Sequence, residues 1–162
     1  MRAIVLGIGN TILSDEGVGV RAALALEQSY HIPDEVSVVD GGTAGMELLD
    51  IIAGADLVVV LDTVKAGRPP GSIVRLAGEQ VPMFFRRKLS PHQIGLCDVL
   101  AALEFLGRLP AELIVLGVEP NTLELGTELT QAVRARLPRL VELAAGELAA
   151  RGIALQPRAT RH

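Results

Sequence analysis

Aromatic residues are scarce in this sequence, with three Phe, one Tyr and no Trp in 162 residues. A chain that is 49% hydrophobic with so few rings must build its core from Leu, Val, Ile and Ala. Cations are also in the minority: 15 Lys and Arg stand against 19 Asp and Glu, for a net charge of -4. Lacking both a basic face and stacking rings, the protein is not expected to bind nucleic acid. Cysteine occurs once, at Cys97, so neither an internal disulfide nor a thiolate metal cluster can form, which fits a reducing, cytoplasmic setting. Long apolar runs are missing too. The best candidate, Ala55 to Leu61, falls far short of the ~20 residues of a membrane-spanning helix, and no membrane partner is expected. The opening Met1 to Gly7 superficially resembles a signal sequence, but Asn10, Ser14, Asp15 and Glu16 interrupt it.

What is present is a regular alternation of strand and helix patterns without repeats or linkers. Arg2 to Ile8 is a continuously apolar run ending in glycine, as in a strand covered on both faces. From about Asp15 to Ser29, Val18, Ala22, Ala25 and Leu26 recur at helical spacing behind the cap candidates Ser14 and Asp15. Val36 to Val39 reads as a strand, Gly45 to Ala53 as a short helix, and Ala55 to Leu61 as a buried strand running into Asp62. Ser72 to Leu76 reads as an edge strand, since Arg75 interrupts one face. Residues 77–93 lack periodicity, and a connection of that length is more often functional than idle. It carries Phe84, Phe85, Arg86, Arg87 and Lys88, an apolar and basic cluster suited to docking a partner. A helix from about Gln93 to Leu106, a strand from Leu113 to Val118, and a long helical pattern from Glu128 to the C-cap candidate Gly152, kinked or restarted at Pro138, complete the pattern. The expected fold is a three-layer α/β/α sandwich on a mostly parallel sheet, one domain over residues 1–155, with 156–162 frayed.

In such folds sites lie beyond the carboxyl ends of the strands. Three candidate ligands fall there: Glu16 after the first strand, Asp62 after the third, and His92 ahead of the helix leading to the last. They are 46 and 30 residues apart, so only the fold can unite them. Two carboxylates and an imidazole suit a borderline divalent ion such as zinc or nickel with an open coordination position. Each has a plainer reading as well. Asp15 and Glu16 would favour the positive end of a helix dipole, Asp62 would serve as a cap or turn residue, and His92 as a solvated loop residue. His31, His162 and Cys97 read as structural or solvated. Gly7-Ile-Gly9 begins a dinucleotide fingerprint with Asp40 ending strand two, yet Ile12 takes the third glycine position and two acids follow where a pyrophosphate would sit. Gly17 and Gly19, costly inside a helix, point either to close approach of backbone or ligand or to a distorted first turn.

Taken together, Gly7-Ile-Gly-Asn10, Asp15-Glu-Gly-Val-Gly19, Asp40-Gly-Gly-Thr43, Asp62, Leu89-Ser-Pro-His-Gln93 and Gly117-Val-Glu-Pro120 resemble the nickel-iron hydrogenase maturation proteases. That family trims a C-terminal extension from the hydrogenase large subunit. The resemblance implies a five-stranded twisted sheet with one antiparallel strand, for which Ser72 to Leu76 is the candidate. It implies Glu16, Asp62 and His92 as metal ligands. It also implies a precursor partner that brings its own nickel, with zinc or cadmium as substitutes in vitro. Two roles for the metal stay open. Held by Glu16, Asp62 and His92 it takes part in the hydrolysis directly, or it is only a checkpoint while a carboxylate such as Asp40 helps activate water. A non-catalytic nickel-checkpoint or chaperone module and a dinucleotide-binding domain are the alternative functions. Between the two adjacent acids, Glu16 is expected to be the ligand and Asp15 the cap.

Overall fold

The computed structural model describes residues 1–42, 45–78, 80–81 and 91–159, with only the backbone described over 91–97. Strand β1 (Ala3–Ile8) is buried at every position, as its unbroken apolar run requires. Around it lie β3 (Val36–Gly42), β4 (Leu57–Thr63), β5 (Ile73–Ala77) and β6 (Glu112–Val118), in the order β3-β1-β4-β6-β5. The β3, β1, β4 and β6 strands run parallel, and β5 closes one edge antiparallel to β6, pairing Ile73 with Val118 and Ala77 with Ile114. The strand expected at Ser72 to Leu76 is thus both the edge and the antiparallel member.

Side-chain alternation divides the core between the two faces. Ala3 and Val5 of β1 and Leu57, Val59 and Leu61 of β4 pack against helix α1 (Val18–Ser29) and helix α5 (Leu137–Ala149). Ile4, Leu6 and Ile8 with Val58 and Val60 pack against α2 (Leu48–Ile52) and α3 (Pro91–Phe105). Each fully buried Leu, Ile or Val contributes about 1.5–3 kcal/mol. No ring is needed in either layer because branched aliphatics interdigitate on a pleated surface.

Several boundaries differ from the sequence expectation, each for a local reason. The first helix does not begin at Asp15: a separate 3-10 turn, Ser14–Gly17, precedes α1. Strand β4 continues two residues beyond Leu61, so Asp62 lies within it. Of the two readings at Pro138 the restart is the one observed: the C-terminal pattern is two helices, α4 (Gln131–Arg134) and α5, and Pro138 occupies the first turn of α5 where its missing N–H costs nothing. Of the tail expected to fray from residue 156, residues 156–158 are tied down. Gln156–Pro157 (β7) pairs antiparallel with Tyr30–His31 (β2), and Arg158 N–H donates to the Ser29 carbonyl at 2.9 Å. Helix α3 starts at Pro91 rather than Gln93, and the Phe84 to Lys88 cluster lies outside the described residues. Among the described residues no helix is long and apolar enough to cross a membrane.

Candidate active site

The chain leaves β1 to form β3 on one side and returns to form β4 on the other, so the switch point, where open α/β sheets have their crevice, falls at the carboxyl ends of β1 and β4. The glycines of the opening segment let the chain fold closely into this crevice. Gly9 has φ 134°, and a Cβ there would lie 1.8 Å from the Glu16 carbonyl oxygen. At Gly19 a Cβ would lie 2.0 Å from the Leu61 carbonyl and 2.4 Å from that of Ile8. Backbone, not ligand, is what these glycines admit. The dinucleotide reading of Gly7-Ile-Gly9 therefore fails, because the space over the glycine turn is filled by the protein's own 3-10 turn.

That turn packs against β4 and carries Glu16, which is 6% exposed. Asp62, fully buried, belongs by alternation to the face of β4 that carries Val58 and Val60, toward α2 and α3; its Oδ1 accepts the Thr63 N–H at 2.7 Å. The turn that carries Glu16 and the strand that carries Asp62 are thus neighbours. His92 is in the first turn of α3, on the same face as Asp62, rather than in a loop ahead of the helix. Its imidazole lies outside the described residues, as do His162 and the Cys97 side chain. Among the described residues no three His, Cys, Asp or Glu side chains form a metal-binding group.

Asp40 stands apart. It is exposed, pairs in register with Gly7, and falls on the face of β3 that carries Val36 and Val38, the side of α1. Asp62 is on the opposite face. His31 is exposed in β2, away from the crevice.

Asp15 is fully buried, but it caps no part of α1. Its carboxylate instead accepts the backbone N–H groups of Asn121, Thr122 and Thr130, the last of these at the start of α4. The expectation that Asp15 caps the first helix is thus corrected: its donors come from the 121–130 segment. Glu119 also has a role that sequence reading left unassigned. It is 5% exposed, and its Oε1 accepts the N–H groups of Ala66 at 2.9 Å and Arg68 at 2.6 Å. It thereby shapes the loop that leaves β4 beyond Asp62. The motif Gly117-Val-Glu-Pro120 singled the residue out, yet only the fold reveals what it holds.

Fold and site together define a three-layer α/β/α domain on a five-stranded, mostly parallel sheet, with the buried acids Glu16 and Asp62 just after β1 and at the end of β4. A family profile described as HycI, hydrogenase maturation protease, matches residues 20–147. The chain is 44% identical over 163 residues to the hydrogenase 2 maturation protease of Escherichia coli strain K12, covering 100% of this chain and 99% of that one. It superposes on the hydrogenase maturating endopeptidase HybD from E. coli with a TM-score of 0.95 at 45% identity, covering 98% of each chain. With the [NiFe] hydrogenase maturation protease HybD from Thermococcus kodakarensis the TM-score is 0.74 at 28% identity, over 92% of this chain and 99% of that one. The chain belongs to the hydrogenase maturation protease family and is an endopeptidase of that family.

Proposed function

We propose that this endopeptidase removes the C-terminal extension of a nickel-iron hydrogenase large-subunit precursor after nickel insertion, in the cytoplasm. The observation that carries the reading is the pair of buried acids, Glu16 and Asp62, at the crevice between β1 and β4 in a chain of this family. Both acids are buried, and both stand at the positions where the family motifs imply carboxylate ligands. With His92 as the third donor the set suits a borderline divalent ion, here the nickel carried in by the precursor as part of the substrate.

Bound there, the ion supplies Lewis acidity at the scissile carbonyl or at a water molecule. The protein's own part is to hold and orient. Asp62 is fixed by a central strand, Glu16 by a turn packed against that strand, and His92 by the first turn of α3. Asp40, exposed and on the far face of the sheet, suits a rim group that receives the peptide better than it suits the activation of water. The test is incubation with nickel-loaded precursor, followed by intact-mass measurement. Loss of the extension is expected; a precursor that is bound but left intact would make the protein a checkpoint module instead.

A further inference from the structure

Asp15 sits beside Glu16 in the same turn, yet its carboxylate is wholly engaged elsewhere. Oδ1 accepts the Thr130 N–H at 2.7 Å and the Thr130 hydroxyl at 3.1 Å. Oδ2 accepts the Asn121 N–H at 2.9 Å, the Thr122 N–H at 3.1 Å and the same hydroxyl at 2.8 Å. Other bonds join the same two stretches. Ser14 N–H donates to the Gly126 carbonyl at 2.9 Å, the Ser14 hydroxyl to that of Glu124 at 2.7 Å, and Gly126 N–H to that of Ile12 at 2.9 Å. Ser14 itself has φ 54°, a backbone conformation that a residue with a side chain keeps only where its surroundings enforce it.

We propose that Asp15 is a positioning residue for the proteolytic site, clamping the Ser14–Gly17 turn to the 121–130 segment so that the neighbouring Glu16 carboxylate is held at the end of β4. The proposal rests on the reading of Glu16 as a metal-holding group. The chemistry calls for an ionised acid. Both oxygens face donors, and an asparagine amide would turn its own N–H₂ toward N–H or O–H groups on one side. A ligand whose support is loosened loses affinity even though it still carries its charge, and changes in such supporting residues typically cost about 10–100-fold in metal affinity.

The test measures cadmium affinity by calorimetry on the full chain for the wild type, Asp15→Asn, Glu16→Gln and the double variant. Amide exchange at Asn121 and Thr122 reads the clamp itself. Asp15→Asn is expected to weaken cadmium binding about 10–100-fold while unfolding stays cooperative, and to speed exchange at both amides. In the Glu16→Gln background it is expected to weaken binding no further, since it acts through Glu16. Wild-type affinity in Asp15→Asn, or two losses that simply add, overturns the positioning role and leaves the Glu16 reading standing. Unchanged affinity in Glu16→Gln overturns both. If Asp15→Asn does not fold, Thr130→Val removes only the hydroxyl donor. A several-fold loss that vanishes in the Glu16→Gln background supports the proposal, and wild-type affinity overturns it.

Discussion

At the scale of single residues, the site depends as much on missing side chains as on present ones. A methyl group at Gly19 would meet two backbone carbonyl oxygens, at 2.0 and 2.4 Å, neither of which can swing aside. Alanine gains about 1 kcal/mol of helix propensity there, but overpacking costs typically 1–3 kcal/mol and more against backbone. Gly19→Ala should therefore lower stability by about 2 kcal/mol or more, read as a fall in Tm of roughly 4–8 °C. The sequence made this glycine conspicuous, because an acidic turn and an amphipathic run surrounded it. It could not tell whether backbone or ligand approached. Asp15 and Glu16 show the same boundary of legibility. Side-chain length and motif position favour Glu16 as the ligand and Asp15 as the cap of the first helix, but the donors that occupy Asp15 lie 106 to 115 residues away, beyond the reach of any local pattern.

At the scale of elements, the periodicities located almost every strand and helix, while their ends followed tertiary contacts. Asp62 was assigned to the residues after a strand because apolar character stops at Leu61. The hydrogen-bonded ladder with β6 nevertheless continues through Asp62 and Thr63, opposite Gly117 and Val118. A polar side chain can occupy a strand's last turns when a site lies there. Helix α5 offers a contrast to α1. Its Gly146 is exposed, and a Cβ there would meet nothing within 4 Å. Gly146→Ala should accordingly stabilise the protein by about 0.5–1 kcal/mol, seen as a higher denaturation midpoint with an unchanged slope. The opposite signs at Gly19 and Gly146 would separate a packing glycine from an incidental one.

At the scale of the whole molecule, charge among the described residues is gathered at two places. One is the crevice. The other is a surface network joining β5, β6 and α5: Arg75 Nε pairs with Glu147 at 2.5 Å, and Arg151 bridges Glu112 at 2.6 Å and Glu147 at 2.9 Å. The Arg75 hydrogen bond holds the Glu147 carboxyl below its usual range, and Arg151 does the same for Glu112. Carboxyls depressed in the folded state release protons on folding, so their contribution is present at neutral pH and is lost as pH falls through the carboxylate range. Glu112 and Arg75 are about half exposed, and solvent screening limits the network to about 1 kcal/mol. Glu147→Gln should lower stability by about that amount at pH 7, and the gap from wild type should close below about pH 4 in urea titrations. The overall architecture was readable because aliphatic strands alternate with amphipathic helices. The network was not, since it joins residues 39 and 72 positions apart.

The clamp at Asp15 also has a consequence in time. A chain emerging residue by residue makes β1 and its turn first, yet the donors that still that turn arrive only with Asn121, Thr122 and Thr130. Until then the crevice has one wall without its fastening. A chain that stops short of Asn121 therefore has none of these three backbone donors for Asp15, and its Ser14–Gly17 turn is left without them.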